Sequence, residues 1–515
     1  MGQKQKQKQQ PQQHRRIYVL QLRKADTIHC VKEPDHLMCY YDYAAGRSNR
    51  SKQHHHPLRR LFFLLSSLCF SLLFLSLLFY SLGTEQIRQV ERNLQAVPKP
   101  PCSSMGNNSI CCDRTSFRTD ICFMRGDVRT NSPSSSILLA SSPATPNITE
   151  EKIRPYTRKW ETNVMSTIDE LKLKQVTDSG SHKCDVTHDV PAIIFSTGGY
   201  TGNVYHEFND GIIPLYITSQ HFNRKVVFII LEYHSWWITK YGDVVSRLSK
   251  YKPIDFTNDK RTHCFKEVIV GLRIHDELNV DPKKMIRGKS IRDFRRMLDV
   301  AYRGRIDYIK RVDGRRSLVP LQSLPVSLNR EVYRPKLVIL SRSGVSRMIE
   351  NEAELVLLAK KIGFEVQVLK PDRTTELCKI YRELNYSDAM IGVHGAAMTH
   401  FLFMRPGKVF MQIIPLGTDW AAKTYYGQPA TKLGLLYMPY KILAKESSLY
   451  RQYPKGDPVL TDPESVGKRG WEVTKRVYLD RQNVRLDLGR FRKRLVKAHG
   501  YLVSKKKNQN VHSRN

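Results

Sequence analysis

Residues 388–415 read DAMIGVHGAAMTHFLFMRPGKVFMQIIP, and this stretch decides the fold. The apolar residues 389–391 predict a short strand that ends at a glycine, and residues 409–414 predict the next buried strand. Between them, the turn around His394 and Gly395 leads into Ala396 and further small residues that favour a helix start. This order places a helix N-terminus at the carboxyl edge of a sheet, where phosphate-bearing ligands bind. The alternative is a glycine turn in an α/β core that binds no ligand.

The same alternation of strands and helices extends in both directions from this stretch. Upstream, strands are predicted at 336–340 and 365–369, with helices at 351–362 and 374–384. A first block contains predicted strands at 192–196, 226–231 and 267–270 and helices at 206–220, 244–248 and 291–309. Two such blocks, joined by a polar segment, predict an α/β protein with two doubly wound domains and a cleft between them.

Composition divides the chain into segments. We predict a disordered basic cytosolic tail (1–60), a transmembrane signal anchor (61–82), a Ser/Thr/Pro-rich stem (83–183), an N-terminal α/β domain (184–311), a linker (312–334), a C-terminal α/β domain (335–500) and a basic tail (501–515). The anchor carries no charged residue and is long enough to cross a bilayer as a helix.

The charge distribution predicts the orientation of that anchor. Lys and Arg precede it, so the positive-inside rule places the N-terminus in the cytosol and the C-terminal part across the membrane. The formal net charge of +36 would suit nucleic acid, an anionic lipid surface or an acidic polymer. The predicted topology excludes nucleic acid, which leaves an acidic polysaccharide or the membrane surface as partner.

Cysteines and glycosylation motifs agree with an oxidising compartment. Seven of the ten cysteines follow the anchor, which allows up to three disulfides and one free thiol without fixing the pairing. Cys111 and Cys112 are adjacent, so each is expected to bond elsewhere. Asn107, Asn147 and Asn385 begin N-glycosylation motifs on the same side.

A first chemical motif is FSTGGYTGNVYHEFNDGIIPL at 195–215. Its glycine turn, with Gly198, Gly199 and Asn203, predicts a substrate cleft followed by a helix on which His206 and Asp210 share one face. The sequence is not the His-Glu-x-x-His pattern of zinc peptidases, because Asp210 stands at the second histidine position. A carboxylate at the top of a cleft can act as general base. The alternative is that His206 and Asp210 only form a hydrogen bond with each other on the face of the helix.

A second motif follows a predicted strand and reads SRSGVSRMIENEAEL at 341–355. Arg342 and Arg347 at a sheet edge suit a diphosphate, because guanidinium groups bind phosphate oxygens in pairs. The alternative is solvated surface charge. The sequence contains no Asp-x-Asp pair, the usual carboxylate signature for a metal held on a nucleotide sugar. We therefore predict no metal site and no required cofactor.

These two motifs, with GVHGAAMTHFLFMRPGKVFMQIIP at 392–415, resemble glycosyltransferase family 61 over about residues 184–500. The C-terminal part is most similar to the plant branch that decorates xylan in the Golgi. The resemblance implies two Rossmann-like domains of GT-B type, with the first on the acceptor side and the second on the nucleotide-sugar side. It also implies inverting transfer from a UDP-sugar, with Asp210 as base. His400 departs from the family, which often has Asn there.

The resemblance implies that Arg342, Arg347, His394, Gly395 and Ala396 bind the nucleotide sugar, and His206 is the second catalytic candidate after Asp210. We expect a type II Golgi membrane enzyme that transfers a pentose, arabinofuranose rather than xylose, from a UDP-pentose to xylan. Other Golgi transferases are its expected partners. One alternative is a β-1,2-xylosyltransferase acting on N-glycans. Another is a catalytically inactive Golgi scaffold protein.

Overall fold

The computed structural model describes residues 18–22, 26–33, 36–41, 101–141, 150–177, 183–316, 333–344 and 346–512. The chain forms two compact units, Met1–Pro98 and Lys99–Asn515. The first contains an antiparallel sheet of three strands, β1 (Tyr18–Leu22), β2 (Asp26–Glu33) and β3 (His36–Tyr41). The predicted anchor at 61–82 lies outside the described residues. Among the helices that are described, none combines the length and apolar character needed to cross a membrane.

The larger sheet of the second unit has ten strands. They are β4 (Ser109–Asp113), β5 (Ile121–Asn131), β6 (Ser136–Ala140), β7 (Glu150–Ile153), β8 (Leu171–Val176), β9 (Val186–Thr187), β10 (Ala192–Ser196), β11 (Val227–Leu231), β12 (Ile254–Asp255) and β13 (His263–Val270). Their order is β12-β11-β10-β13-β5-β6-β8-β7, with β4 beside β5 and β9 beside β13. β10 pairs in parallel with both β11 and β13, so the chain reverses its direction of winding between β10 and β13.

The smaller sheet is entirely parallel. Its strands are β14 (Lys336–Leu340), β15 (Glu365–Leu369), β16 (Ala389–Val393), β17 (Val409–Ile414) and β18 (Leu436–Lys441), in the order β15-β14-β16-β17-β18. This is the 2-1-3-4-5 order of a doubly wound sheet, in which ligands bind where the winding reverses, here between β14 and β16. The predicted strands at 336–340, 365–369 and 409–414 match the structure, which confirms the α/β class.

The helices are α1 (Thr162–Met165), α2 (Val204–His206), α3 (Ile213–Ser219), α4 (Ser235–Leu248), α5 (Ile291–Arg316), α6 (Glu352–Ile362), α7 (Leu377–Asn385), α8 (Asp419–Ala422), α9 (Gln428–Leu433), α10 (Pro458–Thr461), α11 (Pro463–Gly467), α12 (Trp471–Thr474) and α13 (Leu488–His512). π-helical turns lie at Glu207–Ile212, Lys423–Gly427 and Lys475–Leu479. 3₁₀ turns lie at Ser132–Ser134, Gln220–Phe222, Pro282–Lys284, Ile286–Gly288, Ala396–Phe403, Ala444–Glu446 and Ser448–Arg451.

The structure corrects the expectation that residues 83–183 form a stem without a core. Strands β4 to β8 of this segment belong to the larger sheet, and β5 pairs antiparallel with β13. Strand β8, with the sequence LKLKQV, alternates buried and half-buried residues, as a strand with one face on a core does. Two boundaries also differ, because α5 continues into the predicted linker to Arg316 and α13 continues through the predicted basic tail to His512.

One hydrophobic core extends from the larger sheet to the smaller sheet. It contains Ile193 and Phe195 of β10 together with Val338 and Leu340 of β14. Helices α3, α4, α5 and α7 and the 3₁₀ turn Ala396–Phe403 supply most of the side chains between the sheets. The opposite face of each sheet packs in a separate core. The ends of the two sheets are therefore held together by a common layer of apolar side chains.

Among the described residues, disulfides join Cys102 to Cys111, Cys112 to Cys122 and Cys184 to Cys264. Cys378 is free and buried. The prediction of three bridges and one unpaired thiol is confirmed, and the adjacent Cys111 and Cys112 bond to different partners as expected.

Candidate active site

The first part of the site is the helix that follows β10. Asn203 caps α2, and its side-chain oxygen accepts a hydrogen bond from the Tyr205 backbone N–H at 3.1 Å. The helix then widens into the π turn Glu207–Ile212 before it continues as α3. Such turns often lie at functional sites, because they reorient the side chains that they carry. Here the turn carries Asp210, which was predicted together with His206 on the preceding helical turn.

Asp210 is fully enclosed, with 0% of its side chain exposed. Its carboxylate accepts hydrogen bonds from His206 Nδ1 at 2.6 Å and from Asn209 Nδ2 at 2.7 Å. The Arg158 guanidinium lies 3.3 Å from Asp210 Oδ2, and Arg158 is itself held by Glu161 at 2.8 Å. A carboxylate that is closed to solvent and surrounded by donors has no free face for a substrate.

His206 is the member of this pair that reaches the surface of the cleft, with 15% of its side chain exposed. Because Asp210 accepts from Nδ1, the neutral imidazole carries its proton on Nδ1 and leaves a lone pair on Nε2. Within the part of the chain that the structure describes, Nε2 has no hydrogen-bond partner. The Tyr200 ring stacks on the imidazole at 4.1 Å and fixes its plane. This arrangement can accept a proton at Nε2.

The other residues predicted for the substrate cleft have local structural roles. Gly199 has a φ of +62°, and a Cβ there would lie 2.7 Å from the Tyr156 ring. The Gly198 backbone N–H donates to Ser196 Oγ at 2.9 Å. Together with the cap at Asn203, these contacts shape the turn that leads from β10 to His206. Contact of Gly198, Gly199 or Asn203 with a substrate stays a prediction.

The second part of the site lies at the reversal point of the smaller sheet. Arg342 follows the carboxyl end of β14, and the turn with Gly395 follows the carboxyl end of β16. A Cβ at Gly395 would lie 2.6 Å from Arg347 Nη1 and 2.8 Å from Arg342 Nη1. Only glycine, whose φ is +152° here, allows both guanidinium groups this close to the backbone. Arg342, Arg347 and Gly395 are therefore brought together as predicted.

Arg342 and Arg347 are not neutralised by an acidic side chain of the described residues. Neither forms an ion pair within the described residues, and the buried Arg347 Nε has no hydrogen-bond partner. Burial lowers the pKa of both guanidinium groups, and repulsion by Arg342 contributes to the lowering of the Arg347 pKa to about 10. Arg347 also has a left-handed backbone with a φ of 58°. Two half-buried cations held at one point, one of them in a strained conformation, form a site for an anion.

His394 lies beside this pair and is neutral. Its burial, followed by the charges of Arg347 and Arg342, lowers its pKa to about 3. The Tyr437 hydroxyl lies 2.8 Å from Gln412 Oε1, and Gln412 Nε2 lies 2.9 Å from His394 Nδ1. The Tyr437 hydroxyl donates to Gln412, which then donates to Nδ1, so His394 carries its proton on Nε2. His394 can thus donate one hydrogen bond.

Ala396 begins the turn Ala396–Phe403, which is a 3₁₀ helix rather than the expected α-helix. It is half-buried and follows Gly395 directly, as predicted. His400 in the same turn is buried, and its Nδ1 donates to the Ala397 carbonyl at 2.8 Å. Burial lowers the pKa of His400 to about 4, so this residue is neutral.

Two tyrosines connect the halves of the site. The Tyr205 ring contacts the His206 ring at 5.1 Å and the Tyr426 ring at 5.8 Å. Tyr426, on the π turn Lys423–Gly427, contacts the His394 ring at 5.4 Å. The candidate base and the candidate anion site are therefore separated by two buried aromatic rings.

Sequence analysis missed several of these residues. Arg158 was assigned to the stem, and its role depends on the pairing of β5 with β13, which no local pattern reveals. Gln412 was assigned to a buried strand. A polar residue within the apolar run VFMQII is a signal that could have drawn attention to it. Tyr205 and Tyr426 resemble ordinary core residues.

The glycosylation motifs differ in their surroundings. Asn107 is exposed. Asn385 Oδ1 accepts a hydrogen bond from the buried Arg295 at 2.5 Å, and Ser387 of the same motif is fully buried. Asn147 lies outside the described residues. The structure thus presents Asn107, and not Asn385, as an accessible acceptor.

Comparison with known proteins connects this site to an enzyme family. The sequence profile of the family described as glycosyltransferase 61 matches residues 204–411, which include His206, Asp210, both arginines and His394. Over 420 residues the chain is 59% identical to the xylan glycosyltransferase MUCI21 of Arabidopsis thaliana, covering 80% of this chain and 84% of that protein. It is 37% identical to the alpha-1,3-arabinosyltransferase XAT3 of Oryza sativa subsp. japonica, covering 75% of this chain and 64% of that protein. It is 34% identical to the beta-1,2-xylosyltransferase XYXT1 of the same organism, covering 81% of this chain and 87% of that protein.

Proposed function

Because the chain belongs to the glycosyltransferase 61 family, we propose that it transfers a pentose from a UDP-sugar to xylan, with inversion at the anomeric carbon. Arabinofuranose is the favoured sugar and xylose the other candidate. The names of two relatives, an arabinosyltransferase and a xylosyltransferase, support a pentose without choosing between these sugars. The sugar would be added as a side chain of the cell-wall polysaccharide.

The observation that carries this proposal is the pair Arg342 and Arg347 at Gly395. Two guanidinium groups without an acidic partner match the charge of a diphosphate, and each can donate two hydrogen bonds to its oxygens. Their position at the reversal point of a doubly wound sheet is where such sheets bind nucleotides. His394 donates a further hydrogen bond from Nε2 towards the same region, and Ala396 lies at the start of the adjoining turn.

The proposed reaction uses His206 as base. Its Nε2 takes the proton of an acceptor hydroxyl, and the acceptor oxygen attacks the anomeric carbon. The bond from that carbon to the phosphate oxygen breaks, and UDP leaves with the electron pair. Arg342 and Arg347 stabilise the charge that develops on the diphosphate, so no further cofactor is assigned. Asp210, which is enclosed, orients His206 and stabilises the imidazolium that forms.

We also propose that the two sheets serve as the two Rossmann-like domains of a GT-B enzyme. The larger sheet would hold the acceptor near His206, and the smaller sheet would hold the UDP-sugar. The strand orders on either side of β10 and β14 support this division. The uncharged segment 61–82 would anchor the protein in the Golgi membrane with both sheets in the lumen, where other Golgi transferases are possible partners.

The test is to incubate the full-length protein, purified in a mild detergent, with each of a panel of UDP-sugars and a xylo-oligosaccharide. We expect transfer from a UDP-pentose, seen as a mass gain of one pentose on the oligosaccharide. Transfer to an N-glycan and not to the xylo-oligosaccharide would indicate the N-glycan xylosyltransferase instead. If the folded protein neither hydrolyses a UDP-sugar nor transfers its sugar, this result would indicate the inactive scaffold.

A further inference from the structure

Aromatic side chains continue from the candidate base to the protein surface on one side. The Tyr200 ring, which stacks on His206, is 38% exposed, and Arg158 lies between it and Trp160, at 5.5 Å and 4.7 Å from the two rings. Trp160 in turn stacks on Phe117 at 5.2 Å. Phe117 is 72% exposed, which is unusual for such a large apolar side chain on a loop.

A second series of aromatic contacts begins at Tyr205, whose ring also contacts the His206 ring. The Tyr205 ring lies 5.3 Å from the ring of Tyr425, and Tyr425 lies 5.4 Å from Trp420. Trp420 is 66% exposed. On the π turn, Tyr426 points towards His394, whereas the adjacent Tyr425 contacts Tyr205 and Trp420. We call Phe117, Trp160, Tyr200, Tyr425 and Trp420 the aromatic run.

A polar group without a partner lies along this run. Arg118 stacks over Trp160 at 5.5 Å and donates from Nη2 to Glu277 at 2.8 Å. Its other terminal nitrogen, Nη1, is buried and has no hydrogen-bond partner among the described residues. A buried donor without a partner is costly, which indicates a position where a ligand hydroxyl could accept its hydrogen bond.

We propose that the aromatic run is the surface on which the acceptor polysaccharide lies, an inference that rests on the proposed function. A β-linked xylopyranose chain has flat rings whose faces are C–H groups and whose edges are hydroxyl groups. C–H groups pack on the electron-rich faces of aromatic rings, while edge hydroxyls meet donors such as Arg118 Nη1. A neutral linear polysaccharide is thus the occupant that matches both the exposed rings and the unused donor.

The test measures acceptor binding without donor. Calorimetry on the detergent-purified full-length protein compares xylohexaose with xylobiose for Phe117→Ala, Trp420→Ala and the wild type. Both rings are exposed, so the fold should be retained. We expect each variant to bind xylohexaose about 2- to 12-fold more weakly, with xylobiose and UDP binding unchanged. Trp471→Ala, a matched exposed tryptophan outside the run, should bind xylohexaose normally.

The outcomes separate this inference from the proposed function. Wild-type affinity for xylohexaose in both variants, or an equal loss in Trp471→Ala, would overturn the assignment of the run. Transfer activity is measured on the same preparations. Ring-dependent binding without any transfer would support the acceptor surface and refute the transferase function. Transfer with the same KM for xylohexaose in all variants would support the transferase function and refute the aromatic run as the acceptor surface.

Discussion

His206 Nδ1 lies 2.6 Å from Asp210 Oδ2, and only the histidine of this pair reaches the cleft. We therefore predict that His206→Gln lowers kcat by about 10²- to 10⁴-fold, the usual contribution of a general base. Asp210→Asn should retain more activity, because Asp210 orients the imidazole and is itself enclosed.

The catalytic and the purely structural role of this pair are distinguished by two measurements on the same preparations. These are the steady-state rates between pH 5 and 9 and the melting temperature. If Asp210 were itself the base, Asp210→Asn would be the more damaging change and His206→Gln would keep most of the turnover. If the pair only stabilised the helix, both variants would melt at lower temperature while turnover per folded molecule stayed normal.

The paired arginines lead to a second prediction. Arg347→Ala should weaken UDP binding by about 10- to 150-fold, because a charged hydrogen bond contributes roughly 1.5 to 3 kcal/mol. The same change removes one of two repelling, half-buried cations, so the melting temperature should not fall. Calorimetry with UDP and thermal unfolding give the two values.

Arg485→Ala is the matched control for that experiment. Arg485 is exposed and pairs with Glu354 at 3.3 Å on the surface, so its loss should change neither UDP affinity nor stability appreciably. UDP affinity unchanged in both Arg342→Ala and Arg347→Ala would show that the pair does not bind the nucleotide.

Acid sensitivity follows from the buried histidines. The pKa of His400 is lowered by burial to about 4, whereas an unfolded histidine titrates near 6.5. The unfolded chain therefore takes up a proton as the pH falls through 6.5, and the folded protein does not. The contribution of the buried, neutral His400 to the free energy of unfolding is complete above about pH 6.5. It is lost as the pH falls towards 4, by up to about 1.4 kcal/mol per pH unit. His394 adds a similar loss that continues towards pH 3.

His400→Asn should therefore make the free energy of unfolding less dependent on pH between 6.5 and 4.5. Urea denaturation at several pH values measures this slope. Equal slopes for His400→Asn and the wild type would contradict the prediction.

The glycosylation motifs test the lumenal orientation. We predict that glycosidase treatment increases the gel mobility of the wild type and of Asn147→Gln, because exposed Asn107 carries a glycan. The double variant Asn107→Gln/Asn147→Gln should show no shift, since Asn385 is bound to Arg295. A shift in the double variant would place a glycan on Asn385, and no shift in the wild type would contradict a lumenal location.

Much of the fold could be predicted because its strands are short apolar runs between turns. Strands β10, β14, β15 and β17 have the predicted bounds, and the reversal points then follow from the order of the elements. Strands β4 to β8 were missed because they lie in a Ser- and Thr-rich segment. Averaging the composition over that segment hides short strands such as β8, which buries only one face.

The candidate site was predictable only where its residues are close in sequence. The pairs His206–Asp210 and Arg342–Arg347 lie within single motifs, and Gly395 was marked by its turn. The enclosure of Asp210 was not predictable, because Arg158 reaches it from 52 residues upstream through the pairing of distant strands. Burial determines which member of the His206–Asp210 pair meets the substrate, and burial is a property of the whole chain.

The core shared by the two sheets has a consequence for biosynthesis. Phe208, which packs on Phe403 in that core, and Phe294, which packs on Phe208, are synthesised well before residue 403 emerges. Until then this core lacks the side chains that come from the second sheet, so the first sheet cannot complete its folding during translation. The nascent chain must remain unaggregated until the second sheet is made, and chaperone capacity would then limit the yield of folded protein.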